Sequence, residues 1–212
     1  MTIDTQDLIN SMQETFSRMS FIKSEEIPDI SLYMDQVTTF LDERLKPSTR
    51  DKNSDEKLMT KTMINNYAKN EVIPPPEKKK YSKDHMLLLI FIFYYKSFLQ
   101  INDIKELLDP IIENFYNTDG DFGSEDIYDG VFDEMGDRIK EMTDDVYKMY
   151  ELAQHSFENA PEEQREYLKK FYFICKLGSD IFLKKLIIEK TVDSLKEYRE
   201  AGQKNKNEEK HD

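Results

Sequence analysis

Apolar side chains return every three or four residues along most of this chain, the interval that lines one face of an α-helix. Leu8, Ile9, Met12, Phe16 and Met19 predict a first helix from Asp4 to Met19, behind acidic residues suited to a first turn. Pro28 and Asp29 break the chain. Met34, Val37, Phe40, Leu41 and Leu45 then mark a second helix, which Pro47 stops. The segment from Thr60 to Asn70 is a short third helix, with Met63, Ile64 and Tyr67 on the side that faces a core. Three successive prolines follow, each biasing its predecessor away from the α region, so "VIPPPEKKKY" is expected to be extended. Ser82 is a good cap for the next helix, an apolar one running to about Leu99. "INDIKELLDPII" gives another, capped by Asn102, with Ile104, Leu107 and Leu108 inward.

Past Pro110 the chain turns acidic, and "NTDGDFGSEDIYDG" reads as a loop. Asp137 to Phe157 is amphipathic through Ile139, Met142, Val146, Met149 and Tyr150. Pro161 opens a long helix to about Arg199, with a broad stripe of Leu168, Phe171, Tyr172, Cys175, Ile181, Phe182, Leu186 and Ile187. That stripe is read as core for the 137 to 157 helix, with width left for a second copy. "AGQKNKNEEKHD" reads as a solvated tail.

The periodicity makes the fold class all-α. Six Gly and seven Pro in 212 residues are too few for the many turns of a sandwich or barrel. The N-terminus lacks the basic and apolar regions of a signal peptide, and the apolar run Met86 to Tyr95 is too short to span a bilayer. The expected address is the cytoplasm, without membrane contact. Cys175, the single cysteine, excludes an intramolecular disulfide and reads as a small buried hydrophobe.

Charge changes the picture. The net charge of -13 gives no hint of a nucleic-acid partner, but the distribution does. Between Lys46 and Lys83 ten Lys or Arg stand against five Asp or Glu, a local +5, leaving -18 for the rest. Within this basic island the third helix turns Thr62, Asn65 and Lys69 outward, flanked by Lys61 and Asn66, with no carboxylate among them. Asn can bond an adenine edge bidentately and Lys meets guanine acceptors or phosphates. Thr62, Asn65 and Lys69 are therefore the candidates to face bases. Lys61, Asn66, Lys78, Lys79, Lys80 and Lys83 are the candidates to face phosphates of double-stranded DNA.

Helix, helix, extended basic turn, helix is the layout of a winged helix-turn-helix. Thr60 to Leu108 resembles the DNA-binding domain of the MerR family through Tyr67, "VIPPPEKKKYS" and "INDIKELL". "IPDISLYMDQVTTFLDERL" resembles more closely still an uncharacterised bacterial family, domain of unknown function 1836, thought to contain a MerR-like winged helix. The resemblance implies such a domain over residues 28–110. It follows an N-terminal helix at 1–27 and precedes an acidic helical domain at 111–200 and a polar tail at 201–212. Asn65 and Asn66 stand where the family carries an Arg before its tyrosine, and the loop from Lys46 to Met59 is longer than a tight turn.

The other candidate chemistry falls away. Counted from Asn117, Asp119 and Asp121 fit a calcium loop, but Phe122 and Tyr128 occupy the positions that need Gly and Glu. His85, His155 and His211 have no ligand spacing, and no phosphate loop or nucleophile elbow appears. No enzyme, metal or cofactor is expected, and no residue marks a small-molecule effector. The expected protein is a homodimeric DNA-binding transcription regulator or DNA-binding accessory protein. The rival is a protein-interaction adaptor whose helical half binds a partner and whose winged helix is only scaffold.

Overall fold

The computed structural model describes residues 5–18, 21–49, 53–118 and 120–208. Asp4, Met19, Arg50, Asp51, Lys52, Asp119 and His211, which entered the sequence expectations, lie outside these. Two compact units divide the chain, Met1–Gly136 and Asp137–Asp212.

The first unit is organised by its most apolar segment. Helix α4 (Lys83–Tyr95) buries every residue from His85 to Ile92. A helix apolar on all sides must be enclosed on all sides. Helix α5 (Ile101–Phe115) supplies Ile104 and Leu108 to the core, and α6 (Ser124–Phe132) supplies Tyr128. Phe132 of α6 lies 5.4 Å from Phe91 and 4.5 Å from Tyr128 between ring centroids, and Phe21 closes the cluster 5.2 Å from both Tyr94 and Phe132. Burial pushes the Tyr94 phenol up to about 12. The Tyr128 hydroxyl donates to the Ile22 carbonyl at 2.7 Å, so its one polar atom is satisfied inside this apolar setting.

Before α4 the order is α1 (Thr5–Arg18), β1 (Leu32–Tyr33), α2 (Met34–Leu45), α3 (Lys61–Lys69) and β2 (Lys80–Tyr81). Val37, Leu41 and Leu45 of α2 recur at four-residue steps and are buried, as is Ile64 of α3. Strands β1 and β2 pair antiparallel, Leu32 opposite Tyr81 and Tyr33 opposite Lys80.

Several expected boundaries move. Helix α4 ends at Tyr95, not near Leu99, and Gln100 rather than Asn102 caps α5. Helix α5 passes through Pro110 to Phe115. Loss of one N–H and ring crowding there are tolerated because Ile104 and Leu108, on the turns before it, are already buried. The acidic segment expected as one loop contains α6, whose inward Tyr128 supplies the anchor that composition concealed.

In the second unit α7 (Met135–Gln154) and α8 (Glu162–Glu208) are joined by a short link in which Phe157 takes φ 51°. Tyr150 meets Phe173 and Phe157 meets Tyr172 edge-on, with centroids 5.5 and 6.2 Å apart. Helix α8 continues into the segment expected as a tail, as far as Glu208. Cys175 is exposed, a correction to the buried reading: α8 carries apolar residues around its whole circumference, so an apolar neighbourhood in sequence does not imply burial. Among the described residues no helix is long and apolar enough to cross a membrane.

Candidate nucleic-acid interface

Helix α3 is set by both of its ends. The Thr60 side chain accepts from the Met63 N–H at 3.2 Å, capping the first turn. At the other end Glu71 takes φ 57°, the left-handed conformation that ends many helices, and the Val72 N–H bonds back to the Tyr67 carbonyl at 2.8 Å. Lys105 of α5 donates to the Glu71 carbonyl at 2.9 Å, and buried Val72 and Ile73 fix the exit. With Ile64 inward, the opposite side of α3 presents Thr62, Asn65, Asn66 and Lys69 to solvent, together with Lys61.

The two described ends of the long connection from α2 to α3 are anchored. The Asp42 carboxylate accepts from the Leu58 N–H at 2.9 Å and pairs with Lys57 and Lys46 at 3.4 and 3.6 Å. Burial alone would raise that carboxyl, but the Leu58 bond and the two ammonium groups hold it below its ordinary value. Lys46 also donates to the Glu56 carbonyl at 2.9 Å, Lys96 of α4 donates to the Leu58 carbonyl at 2.8 Å, and Met59 is buried. Burial lowers the Lys96 ammonium. Asp42 was not singled out in the sequence, although its i,i+4 relation to Lys46 on a helix is a readable signal.

The basic segment after α3 forms a hairpin tip. Lys78 and Lys79 take φ 50° and 65°, and the Lys80 N–H donates to the Glu77 carbonyl at 2.9 Å, closing a two-residue turn. Positive φ at both central residues is the mark of a type I′ turn, whose usual occupants are Asn and Gly. Both lysines are exposed. Lys80 is half-buried and lies 5.1 Å over the Tyr33 ring, a cation–π contact across the β1–β2 pair.

His85 anchors the base of this hairpin. Its Nδ1 accepts from the Ser82 N–H at 3.0 Å, which leaves the proton on Nε2, facing the Pro74 carbonyl at 3.1 Å. The Tyr116 hydroxyl closes the cluster at 2.9 Å from Nδ1. Burial lowers the His85 imidazole below its ordinary value, against the opposing pull of the Pro74 bond and Asp84.

The nine expected contact residues thus differ in availability. Thr62, Asn65, Asn66, Lys69, Lys78 and Lys79 are exposed. Lys61 pairs with Asp35, but both side chains are more than half exposed, so the pair is weak and exchangeable. Lys83 is different: its side chain is mostly enclosed and its ammonium pairs with Glu125 of α6. The sequence could not show this pairing, because the two residues lie 42 positions apart. Among the described residues no group of His, Cys, Asp and Glu is arranged to hold a metal ion.

No curated protein and no solved structure matches the chain. One family model does, Domain of unknown function (DUF1836), over residues 22–131. The match begins beside Phe21 and ends in α6, so it covers α2 to α5, the hairpin and Tyr128 of the aromatic cluster that encloses α4, but neither Phe21 nor Phe132. It spans more than half of the sequence, and the chain belongs to the DUF1836 family.

Proposed function

We propose that this protein is a cytoplasmic DNA-binding transcription regulator, or a DNA-binding accessory protein, built on a MerR-like winged helix-turn-helix. The order β1, α2, α3, hairpin, α4 supports that layout, with β1 pairing to the hairpin strand β2 and leading directly into α2. In this reading α3 enters the major groove. Thr62, Asn65 and Lys69 face bases, and Lys61, Asn66, Lys78, Lys79 and Lys80 face phosphates. Lys83 is left out, since Glu125 already neutralises it.

The observation that carries the reading is the hairpin tip. Two exposed lysines, unpaired among the described residues, occupy left-handed backbone positions that disfavour most side chains, where Asn-Gly would fold better. Strain kept for the sake of two ammonium groups implies that the charge is used. A mobility-shift series at low salt with fragments of the source genome tests it. Wild type should shift DNA, Lys78→Glu with Lys79→Glu should abolish the shift, and Asn65→Ala should retain binding with flattened sequence preference. A wild type that shifts nothing, or a shift indifferent to the two charge reversals, would overturn the proposal.

A second reading, a protein-interaction module that docks a partner on the first unit itself, is favoured by a different observation, a shallow groove of about 390 Å³ along α2. Pro28, Leu32 and Phe40 give it apolar walls and Asp35 and Glu43 an acidic rim. Absence of any shift would move the weight to this surface.

A further inference from the structure

Helix α2 divides its surface between two uses. Val37, Leu41 and Leu45 go to the core, while Asp35, Thr39 and Glu43 recur at four-residue steps along the outer side. Beside that outer ridge Phe40, only half-buried, joins Pro28 and Leu32 as the apolar wall of the groove of about 390 Å³. Ile30, between Pro28 and Leu32 in the chain, is 68% exposed, so this segment carries more apolar side chain than its own packing uses.

Charge narrows what can lie there. Residues 28–43 contain four carboxylates and no Lys or Arg, directly before the basic island. Asp42 is committed to Lys46 and Lys57, and Asp35 pairs with Lys61. Arg44, whose guanidinium lies 6.0 Å from the Phe40 ring, is itself paired with Glu26 at 3.1 Å. Asp29 and Glu43 are exposed and have no ion-pair partner among the described residues. The groove therefore offers an apolar wall together with negative charge that the chain leaves unanswered.

We propose that this groove docks a basic peptide segment of a protein partner. One large apolar side chain of that segment rests on Pro28, Leu32 and Phe40, and Lys or Arg beside it meets Glu43 and Asp29. This rests on the reading of the first unit as a docking module and names the partner by its chemistry. Other occupants fit worse. The carboxylates repel the phosphates of nucleic acid and of anionic lipid. A two-fold contact between copies of this chain would set the same acidic ridge against itself. A small molecule needs about 70–90% of its surface enclosed, which a shallow groove does not provide. None of the residues expected to contact DNA lines the groove, so the two uses do not compete for the same side chains.

Selection of short random peptides displayed on phage against the full chain tests the proposal, followed by fluorescence anisotropy of the labelled peptides that are enriched. These should carry Lys or Arg beside a large apolar residue. Phe40→Ala should weaken them roughly tenfold. Glu43→Lys, on an exposed side chain, should weaken them roughly fivefold, and it alone decides the case if Phe40→Ala does not fold by circular dichroism. Glu151→Lys on α7 makes the same change in net charge and should leave affinity unchanged, which separates docking from general attraction to an acidic protein. Equal weakening by Glu43→Lys and Glu151→Lys would overturn the proposal. Enriched peptides that need Phe40 but lack Lys and Arg would overturn the basic partner while keeping the docking module. Peptides indifferent to both groove changes, or no enrichment at all, would overturn both. Lys78→Glu with Lys79→Glu should not weaken the peptides, so failure of the DNA reading leaves this result standing.

Discussion

Replacing Lys78 by Asn and Lys79 by Gly would give the β-hairpin the dipeptide its turn geometry prefers, while removing two ammonium groups. Left-handed backbone costs an ordinary residue about 1 kcal/mol relative to glycine, and Asn tolerates it better than Lys. The double variant should therefore gain about 1 kcal/mol, read as a rise in Tm of about 2–4 °C for a chain of this size. DNA affinity should move in the opposite direction. Each phosphate neutralised contributes about 0.9 to the slope of log K against log salt, so the slope should shrink by about 1.8. At about 0.15 M salt that corresponds to roughly a thirtyfold loss of affinity. Differential scanning fluorimetry and fluorescence anisotropy across a salt series measure the two effects on one preparation. A lower Tm would refute the claim that the tip is strained. A higher Tm with an unchanged salt slope would refute the claim that its lysines meet phosphate. Only the pair of opposite shifts agrees with a strained turn retained for its charge.

Asp42→Ala should cost about 1–2 kcal/mol in urea unfolding, since it strips the Leu58 N–H of its acceptor and leaves the mostly enclosed Lys46 without its carboxylate. Limited proteolysis should show new cleavage between Lys46 and Thr60, and an unchanged cleavage pattern would show that the loop is held by other contacts. His85 gives a pH signature. Its folded-state pKa lies below the ordinary 6.5, so the unfolded chain binds more protons between the two values and stability rises with pH across that window. The contribution should be complete above pH 6.5 and lost on acidification towards the folded-state value, as a Tm drop that disappears in His85→Gln.

Much of the first unit was legible because its helices are short, amphipathic and bounded by readable caps. Thr60 and Ser82 cap α3 and α4 as their side chains suggest, and Ile64 faces the core as the spacing requires. The hairpin was legible only as an extended basic segment. Lys-Lys is not a turn dipeptide, so nothing local announced positive φ at both positions. Helix α6 was hidden by its acidic surface, which outweighed in composition the two aromatic residues that seat it on α4. The neutralised Lys83 and the Asp42 cluster depend on residues brought together by folding. Helix α8 misled for the opposite reason: apolar positions that suggest burial when counted need a partner to be buried, and one short helix covers only part of them.

The aromatic cap over α4 also sets how small an autonomous piece of this protein can be. A fragment spanning only the helices and hairpin that resemble a DNA reader would be severed inside α5 at Pro110 and would forfeit Tyr128 and Phe132. Phe91 and Tyr94 would then face water, inviting self-association through a surface that the intact chain never offers. The first unit thus depends for its solubility on residues well past its last recognisable motif.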